Sequence, residues 1–404
     1  MNTMSTPKET TFKTYREKYK NNLLNHTIPF WEKYSIDKED GGYYTCLSTQ
    51  GQVYDTDKFV WLQCRQIWTF SKLYNDFGAQ ENWLTIAKHG ADFLEKHGRD
   101  KEGNWYFSLD KKGLPLVEPY NIFSDCFAAL GFGQLGKITG ETKYTDLANT
   151  TFHNILKRQD NPKGKYEKSY PGARELQNLG LPMILSNLVL ELDHILDDDS
   201  IDRQLNLVKD KIINQFYKPE HGIILENVGP NGEFNDSFQG RHVNPGHGLE
   251  TLWFLMDIAE RQGDQELIQK SVEITLNTME YGWDKQYGGL FYFMDIKGFP
   301  PEQLMWDQKL WWPHIEAMIA LLKGYYLTGD QRCWDWFVML HDYTWEHFVD
   351  EKYGEWYGYL SREGKVNLEL KGGKWKGCFH VPRGLMYLSE IMSKLEKKQL
   401  TVNY

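Results

Sequence analysis

Two kinds of helical stripe alternate along the 404 residues of the chain. The richer kind, FVWLQCRQIWTFSKLY from Phe59 or GLETLWFLMDIAERQ from Gly248, repeats apolar residues near i, i+3, i+4 and i+7, the signature of a helix with a broad buried face. The second kind is shorter and more polar, as in ENWLTIAKHGADFLEKHG from Glu81 and QELIQKSVEITLNTMEYG from Gln265. Ahead of each rich stripe lies a glycine- and aromatic-rich stretch: GGYYTCLSTQG from Gly41, GNWYFSLDKKG from Gly103, GKYEKSYPG from Gly164, GIILENVGPNG from Gly222, GGLFYFMDIKG from Gly288 and GEWYGYLSREG from Gly354. These β-prone runs broken by Gly, Asn and Asp read as short hairpins.

Successive starts lie 62, 61, 58, 66 and 66 residues apart, the regularity of an array of one supersecondary unit. Each unit is a hairpin, an inner helix and an outer helix. Six such pairs closing on themselves predict an all-α chain, an (α/α)6 barrel, with the hairpins gathered over its mouth. An open solenoid is the competing architecture, and its binding face would be a groove instead of a pocket. The even count and the lack of a polar capping repeat favour closure. No Ser/Gly linker or charge block divides the sequence, so residues 1–404 are expected to form a single domain, with 1–9 and 398–404 frayed at its ends.

Equivalence of the repeats brings residues at equivalent positions to the same mouth. Counting 22–26 positions from each glycine reaches Arg65, Asp125, His247, His314 and His380, and in the short third repeat the stretch Leu181-Pro182-Met183. Each of the three histidines has a proline within two residues: Pro245 before His247, Pro313 before His314, Pro382 after His380. Proline is favoured at the first helical position, so each imidazole is expected at a helix N-terminus, where the dipole opposes protonation and favours a neutral base. Glu250, three residues after His247, shares its helix face. Any one histidine taken alone reads more readily as a structural hydrogen bonder; three at one register favour function. His26, His89, His97, His153, His194, His221, His341 and His347 match no such position and read as packing or surface residues.

Other chemistry finds little support. There is no HExxH or similar spacing around His247 and Glu250, so no metal site is expected. Cys378, two residues before His380, has no activating neighbour in sequence and reads as a steric one. Trp306, Trp311 and Trp312 suit either a core or a sugar platform. No P-loop, GxGxxG or GxSxG pattern occurs, and Lys371-Gly372-Gly373-Lys374 reads as a turn.

Composition narrows the class further. Hydrophobic residues make up 41% and aromatic ones 15%, enough for a large core. A net charge of −10 argues against nucleic acid and anionic membranes as partners. No apolar run reaches the roughly 18 residues of a membrane span, and the polar N-terminal stretch lacks a signal core. Five cysteines without metal or paired spacing fit a reduced, cytoplasmic protein.

With these residues in hand, the chain resembles the N-acylglucosamine 2-epimerase family, which includes the renin-binding proteins. The stretches that carry the resemblance are VYDTDKFVWLQCRQIW, RHVNPGHGLETLWFL, GWDKQYGGLFYFMD, KLWWPHIEAMIALLKGY and YGEWYGYLSREGKV with KGCFHVPRGL, spread over residues 12–392. The related cellobiose 2-epimerases are less similar; where they carry a further histidine, this chain offers Met183. The resemblance implies an (α/α)6 barrel and interconversion of N-acetylglucosamine and N-acetylmannosamine. It puts Arg65, His247 and His380 on catalytic positions, and Glu250, His314, Glu316 and Trp312 in the substrate pocket, with Asp125 and Met183 joining them from the repeat register. Cys378 falls where a cysteine was once held to be essential. The resemblance also implies a homodimer and ATP as an activator that is not consumed. Some relatives act on unmodified mannose and glucose.

The corresponding chemistry is proton exchange at carbon 2 of an open-chain aldose, acidified by the neighbouring aldehyde. Inversion needs a base on one face and an acid on the other. His247 and His380 supply that pair, Arg65 holds the charge growing on the carbonyl oxygen, and His314 assists ring opening or contacts hydroxyls. Rival readings are an aldose–ketose isomerase sharing the enediolate, an inverting glycosidase drawing on Asp125, Glu250 and Glu316, and a non-enzymatic partner-binding protein.

Overall fold

A computed structural model describes residues 9–170 and 172–402. Helix α1 (Glu9–Asn22) passes through one π turn into α2 (Ile28–Tyr34). Then follow α3 (Val60–Asp76), α4 (Glu81–His97), α5 (Phe123–Thr139), α6 (Thr142–Arg158), α7 (Gly180–Glu191) and α8 (Asp198–Lys211). The chain finishes with α9 (Pro245–Gln262), α10 (Gln265–Gly282), α11 (Trp311–Thr328), α12 (Gln331–His347) and α13 (His380–Val402).

The odd-numbered helices from α3 to α13 form an inner ring in chain order, each packed on the next. The even-numbered helices from α4 to α12 lie outside, each against the inner helix before it. Inner helices are buried nearly all round, as α11 is from Trp311 to Tyr325, whereas outer ones bury a single stripe. This is an (α/α)6 barrel. Close packing needs small residues at tight points: a Cβ on Gly131 of α5 would lie 2.5 Å from the Cys64 carbonyl of α3, so only glycine fits. Turns from inner to outer helix use left-handed glycines, Gly140, Gly263 and Gly329. Asp264 and Asp330 then cap α10 and α12 by accepting backbone N–H groups.

Three expectations change in detail. The outer helices are not shorter: α4 has 17 residues, like α3. Among the described residues no outer helix follows the sixth inner helix, and α1 fills that place against α13 and α12, with Phe12 edge-on to Trp334 at 5.4 Å and Arg16 paired to Glu396. Finally, residues 398–402 continue α13 instead of fraying; residues 1–8 and 403–404 lie outside the described residues.

The β-segments are only two or three residues long, and several pair across repeats as well as within them. Strands Lys58–Phe59, Gln177–Asn178, His242–Val243 and Lys309–Leu310 each precede an inner helix and pair with the glycine-rich stretch of the following repeat. The same link joins the last repeat to the first through a Ser48–Leu370 bridge, and Thr69 of α3 donates to the Cys378 carbonyl at 2.7 Å. Buried lysines brace these stretches from below: Lys58 on Asp37, Lys309 on Asp284 and Lys371 on Asp350, at 2.7, 3.1 and 2.9 Å. The loops at the N-terminal ends of the inner helices are thereby fixed around one opening.

Candidate active site

A cavity of about 870 Å³ opens there. Every inner helix contributes from its first turns: Arg65 from α3, Phe127 from α5, Met183 from α7, His247 and Glu250 from α9, Trp312 from α11 and His380 from α13. The positive ends of six helix dipoles thus converge on one space, which favours negative charge formed inside it.

His247 sits in the first turn of α9, where Asn244 caps the helix by accepting its backbone N–H at 3.2 Å. Its Nδ1 lies 2.9 Å from Glu226 Oε2. A carboxylate only accepts, so Nδ1 carries the proton. Burial presses this imidazole toward the neutral form, but the charge and hydrogen bond of Glu226, with Glu250 nearby, raise its pKa above the ordinary value. The pull of the helix dipole toward the neutral form is therefore opposed at this position by a contacting carboxylate.

His380 is held the other way. Its Nδ1 donates to Glu316 Oε1 at 2.7 Å, while Nε2 faces Arg65 Nη1 at 3.4 Å. A ring with one acceptor and one donor as neighbours is the neutral tautomer. Burial, helped by Arg65, Arg383 and His247, pushes its pKa well below the ordinary value against the pull of Glu250. The Trp312 ring neighbours both, 5.1 Å from His247 and 5.8 Å from His380, and both imidazoles line the one cavity.

Arg65 is wrapped by the rings of Phe127, Trp61 and Phe379 at 3.9, 4.5 and 4.6 Å. Burial lowers its pKa to about 9, and its Nε has no hydrogen-bond partner. It is a cation held in place with donor capacity to spare. Arg383 plays a different part: its Nη2 donates to Glu316 at 2.7 Å and to Glu250. Glu316 also accepts from Trp253 at 2.9 Å. Ligand atoms of Glu250, Glu316 and His380 come within 4.8 Å of one another, but the guanidinium of Arg383 already supplies the positive charge between the two carboxylates.

The structure thus brings together Arg65, His247, Glu250, Trp312, Met183 and His380 around the cavity, with Glu316 just behind. Two expected pocket residues are elsewhere. His314 is fully buried beneath the wall: Nδ1 donates to the Leu310 carbonyl at 2.6 Å and Nε2 accepts from Leu290 N–H at 3.0 Å, so both nitrogens are spent on holding strand to helix. Asp125 turns outward to Arg158, 3.0 Å away, and burial raises its pKa to about 7. Cys378 is buried behind the wall with its thiol pKa raised. Sequence reading missed Glu226 and Arg383. A signal existed for the second: Arg383 follows His380 by three residues as Glu250 follows His247, and the two side chains meet in a hydrogen bond.

Two imidazoles, a fixed cation and an aromatic lining thus share one cavity, and the protein falls among the barrel isomerases that act on sugars. The comparisons narrow this. Residues 42–381 match the family described as N-acylglucosamine 2-epimerase (GlcNAc 2-epimerase). The chain is 40% identical over 381 residues to the N-acylglucosamine 2-epimerase of Bos taurus, covering 92% of this chain and 90% of that one. It is 39% identical over 381 residues to that of Homo sapiens, covering 92% and 89%. The solved cellobiose 2-epimerase of Bacillus thermoamylovorans B4167 shares the fold with a TM-score of 0.82 at 21% identity, covering 94% of this chain and 99% of that one. The chain belongs to the N-acylglucosamine 2-epimerase family. Among the described residues no helix is long and apolar enough to cross a membrane.

Proposed function

We propose that the protein interconverts N-acetyl-D-glucosamine and N-acetyl-D-mannosamine by removing and returning the proton at carbon 2. The observation that carries this reading is the opposite tuning of His380 and His247 across one cavity. Where environments push two titratable groups apart, one is ready as base and the other as acid.

In one direction His380 Nε2, unprotonated and kept in register by Glu316, takes the proton from carbon 2 of the open-chain sugar. Electrons move toward the aldehyde oxygen, and Arg65 with the six helix ends stabilises the enediolate. His247, its Nδ1 fixed by Glu226, delivers a proton from Nε2 to the opposite face. The reverse reaction exchanges the roles, and no cofactor is consumed. The carboxylates are poorly placed for glycoside hydrolysis: Glu250 and Glu316 are both committed to Arg383, and Asp125 is outside the cavity.

Replacing either histidine by asparagine is expected to abolish epimerisation, since each contributes roughly 10²–10⁴-fold as a general acid or base, while a substrate analogue still binds. Reaction in D2O is expected to place deuterium at carbon 2 of the product, read by NMR. Product without deuterium, or a ketose product, would overturn the reading, as would an asparagine variant retaining more than about a tenth of the activity.

A further inference from the structure

Asp125 is a buried acid that the chemistry above leaves unused. It stands at the register position that carries Arg65, His247 and His380 in other repeats, in the first turn of α5, and is wholly buried. Oδ1 accepts from Arg158 Nη1 at 3.0 Å, while Oδ2 has no hydrogen-bond partner among the described residues. A buried carboxylate with one oxygen bare is costly to keep charged. Burial accordingly raises its pKa to about 7 against the pull of Arg158.

Arg158 is the last residue of α6 and makes a three-way tie. Besides Asp125 it donates to Asn104 Oδ1 at 3.1 Å and reaches the Pro162 carbonyl at 3.5 Å. It thereby joins the start of α5, the glycine-rich stretch of the second repeat and the turn that follows α6. In that turn the N–H groups of Asn161, Gly164 and Tyr166 each donate to the carbonyl three residues back, at 3.0 Å. The α5 end of the tie leads to the cavity. Phe123 and Phe127, two residues either side of Asp125, line it, and the Phe127 ring carries the Arg65 guanidinium at 3.9 Å.

The other titratable groups around Asp125 do not compete for its proton. Cys64 from α3 and Cys126 on α5 have thiols raised well above the ordinary value, chiefly by burial. In the glycine-rich stretch, Asp100 is bonded to Asn104 at 3.1 Å. Proton uptake by Asp125 therefore acts on Arg158. The sign follows from linkage: Arg158 draws the Asp125 pKa down, so that pKa is higher where the contact is broken, and protons favour the broken form. Release grows as pH falls toward about 7 and is complete below it. Arginine keeps its charge, and with its side chain 24% exposed Arg158 can turn to water.

We propose that Asp125 is a positioning residue: ionised, it holds Arg158 and keeps the first turn of α5, with Phe127 and Arg65, in place. Once protonated, it lets the end of α6 go, and turnover slows. This rests on the reading above that Arg65 stabilises the enediolate.

Hydrogen exchange and kinetics on the full chain test the tie. Exchange of residues 158–166, timed to cancel the base-catalysed rate, should be about ten-fold faster near pH 6 than near pH 8.5. D125N, uncharged throughout, should exchange at the fast rate at both. R158M breaks the same contact from the partly exposed side and should behave alike, so the comparison survives if D125N does not fold. R158K, which keeps a cation, should restore part of the pH dependence. With N-acetyl-D-mannosamine, kcat of the parent relative to either uncharged variant should rise from about one near pH 6 to about ten near pH 8.5. KM should not change, and the histidines cancel in this ratio. Exchange that ignores pH in the parent, or a kcat ratio constant with pH, would overturn the proposal. If no 2-acetamido sugar reacts, the proposed chemistry fails. The tie then stands if exchange quickens in acid and D125N or R158M removes that response, and falls otherwise.

Discussion

His247 and His380 enter the cavity from equivalent places, yet their neighbours give them opposite proton affinities. Each Nδ1 meets a carboxylate, but Arg65 and Arg383 press on His380, whereas His247 is raised chiefly by Glu226. Substituting it with glutamine keeps the shape and removes the charge, so burial is no longer offset and the pKa of His247 falls. The sign follows: the alkaline limb of the kcat/KM profile, where the acid loses its proton, moves to lower pH, and the rate on that side drops by up to roughly 10²-fold. A profile unmoved by E226Q would show that His247 is not the group titrating there. At this scale the sequence was legible where register and rotamer agree. Arg65, His247 and His380 share both. His314 and Asp125 share the register, but their side chains turn into the wall, and register alone does not report direction. Glu226 lies in the glycine-rich stretch of its repeat, outside the register that was counted, so no periodicity pointed to it.

The inner and outer helices were readable as separate classes because burying a helix all round or on one stripe leaves different patterns. Two features of the elements were not. Strands of two residues carry no period to read, so their pairing from one repeat to the next is visible only in the fold. And α1, which precedes the repeats counted from the glycines, takes the place of the outer helix of the last repeat. It packs along α13 and buries Phe12 against Trp334 and Tyr325 of α12 and α11. Phe12→Ala is expected to cost about 3–5 kcal/mol, the usual range for emptying a buried phenylalanine site, as measured by urea denaturation. The variant should keep its KM, since Phe12 is remote from the cavity; a stability change under about 1 kcal/mol would mean that α1 is not a closing element.

For the molecule as a whole, the buried histidines set the response to acid. His314 and His341 are held neutral, their pKa values pushed down to about 3, chiefly by burial, and His380 is depressed as well. In the unfolded chain each titrates near 6.5. Between these values the unfolded state binds more protons, so this stability is fully present above about pH 6.5 and drains away as pH falls, by about 1.4 kcal/mol per histidine per pH unit. Asp125 works against them: with its pKa raised to about 7, it favours the folded state increasingly as pH drops from 7 toward 4. His247, raised, gives stability below pH 6.5 that is lost only on the alkaline side. Each depressed histidine therefore adds to a fall of stability below pH 6.5, and each raised aspartate, Asp125 first, subtracts from it. His341 lies between α1 and α12, bonded to Tyr19 at 2.9 Å and far from catalysis, which makes it the informative position to change. His341→Asn should lower stability at pH 7 while flattening the slope below pH 6.5 by about one proton's worth. Urea denaturation across that range decides it, because a slope as steep in H341N as in the parent would place the proton uptake elsewhere.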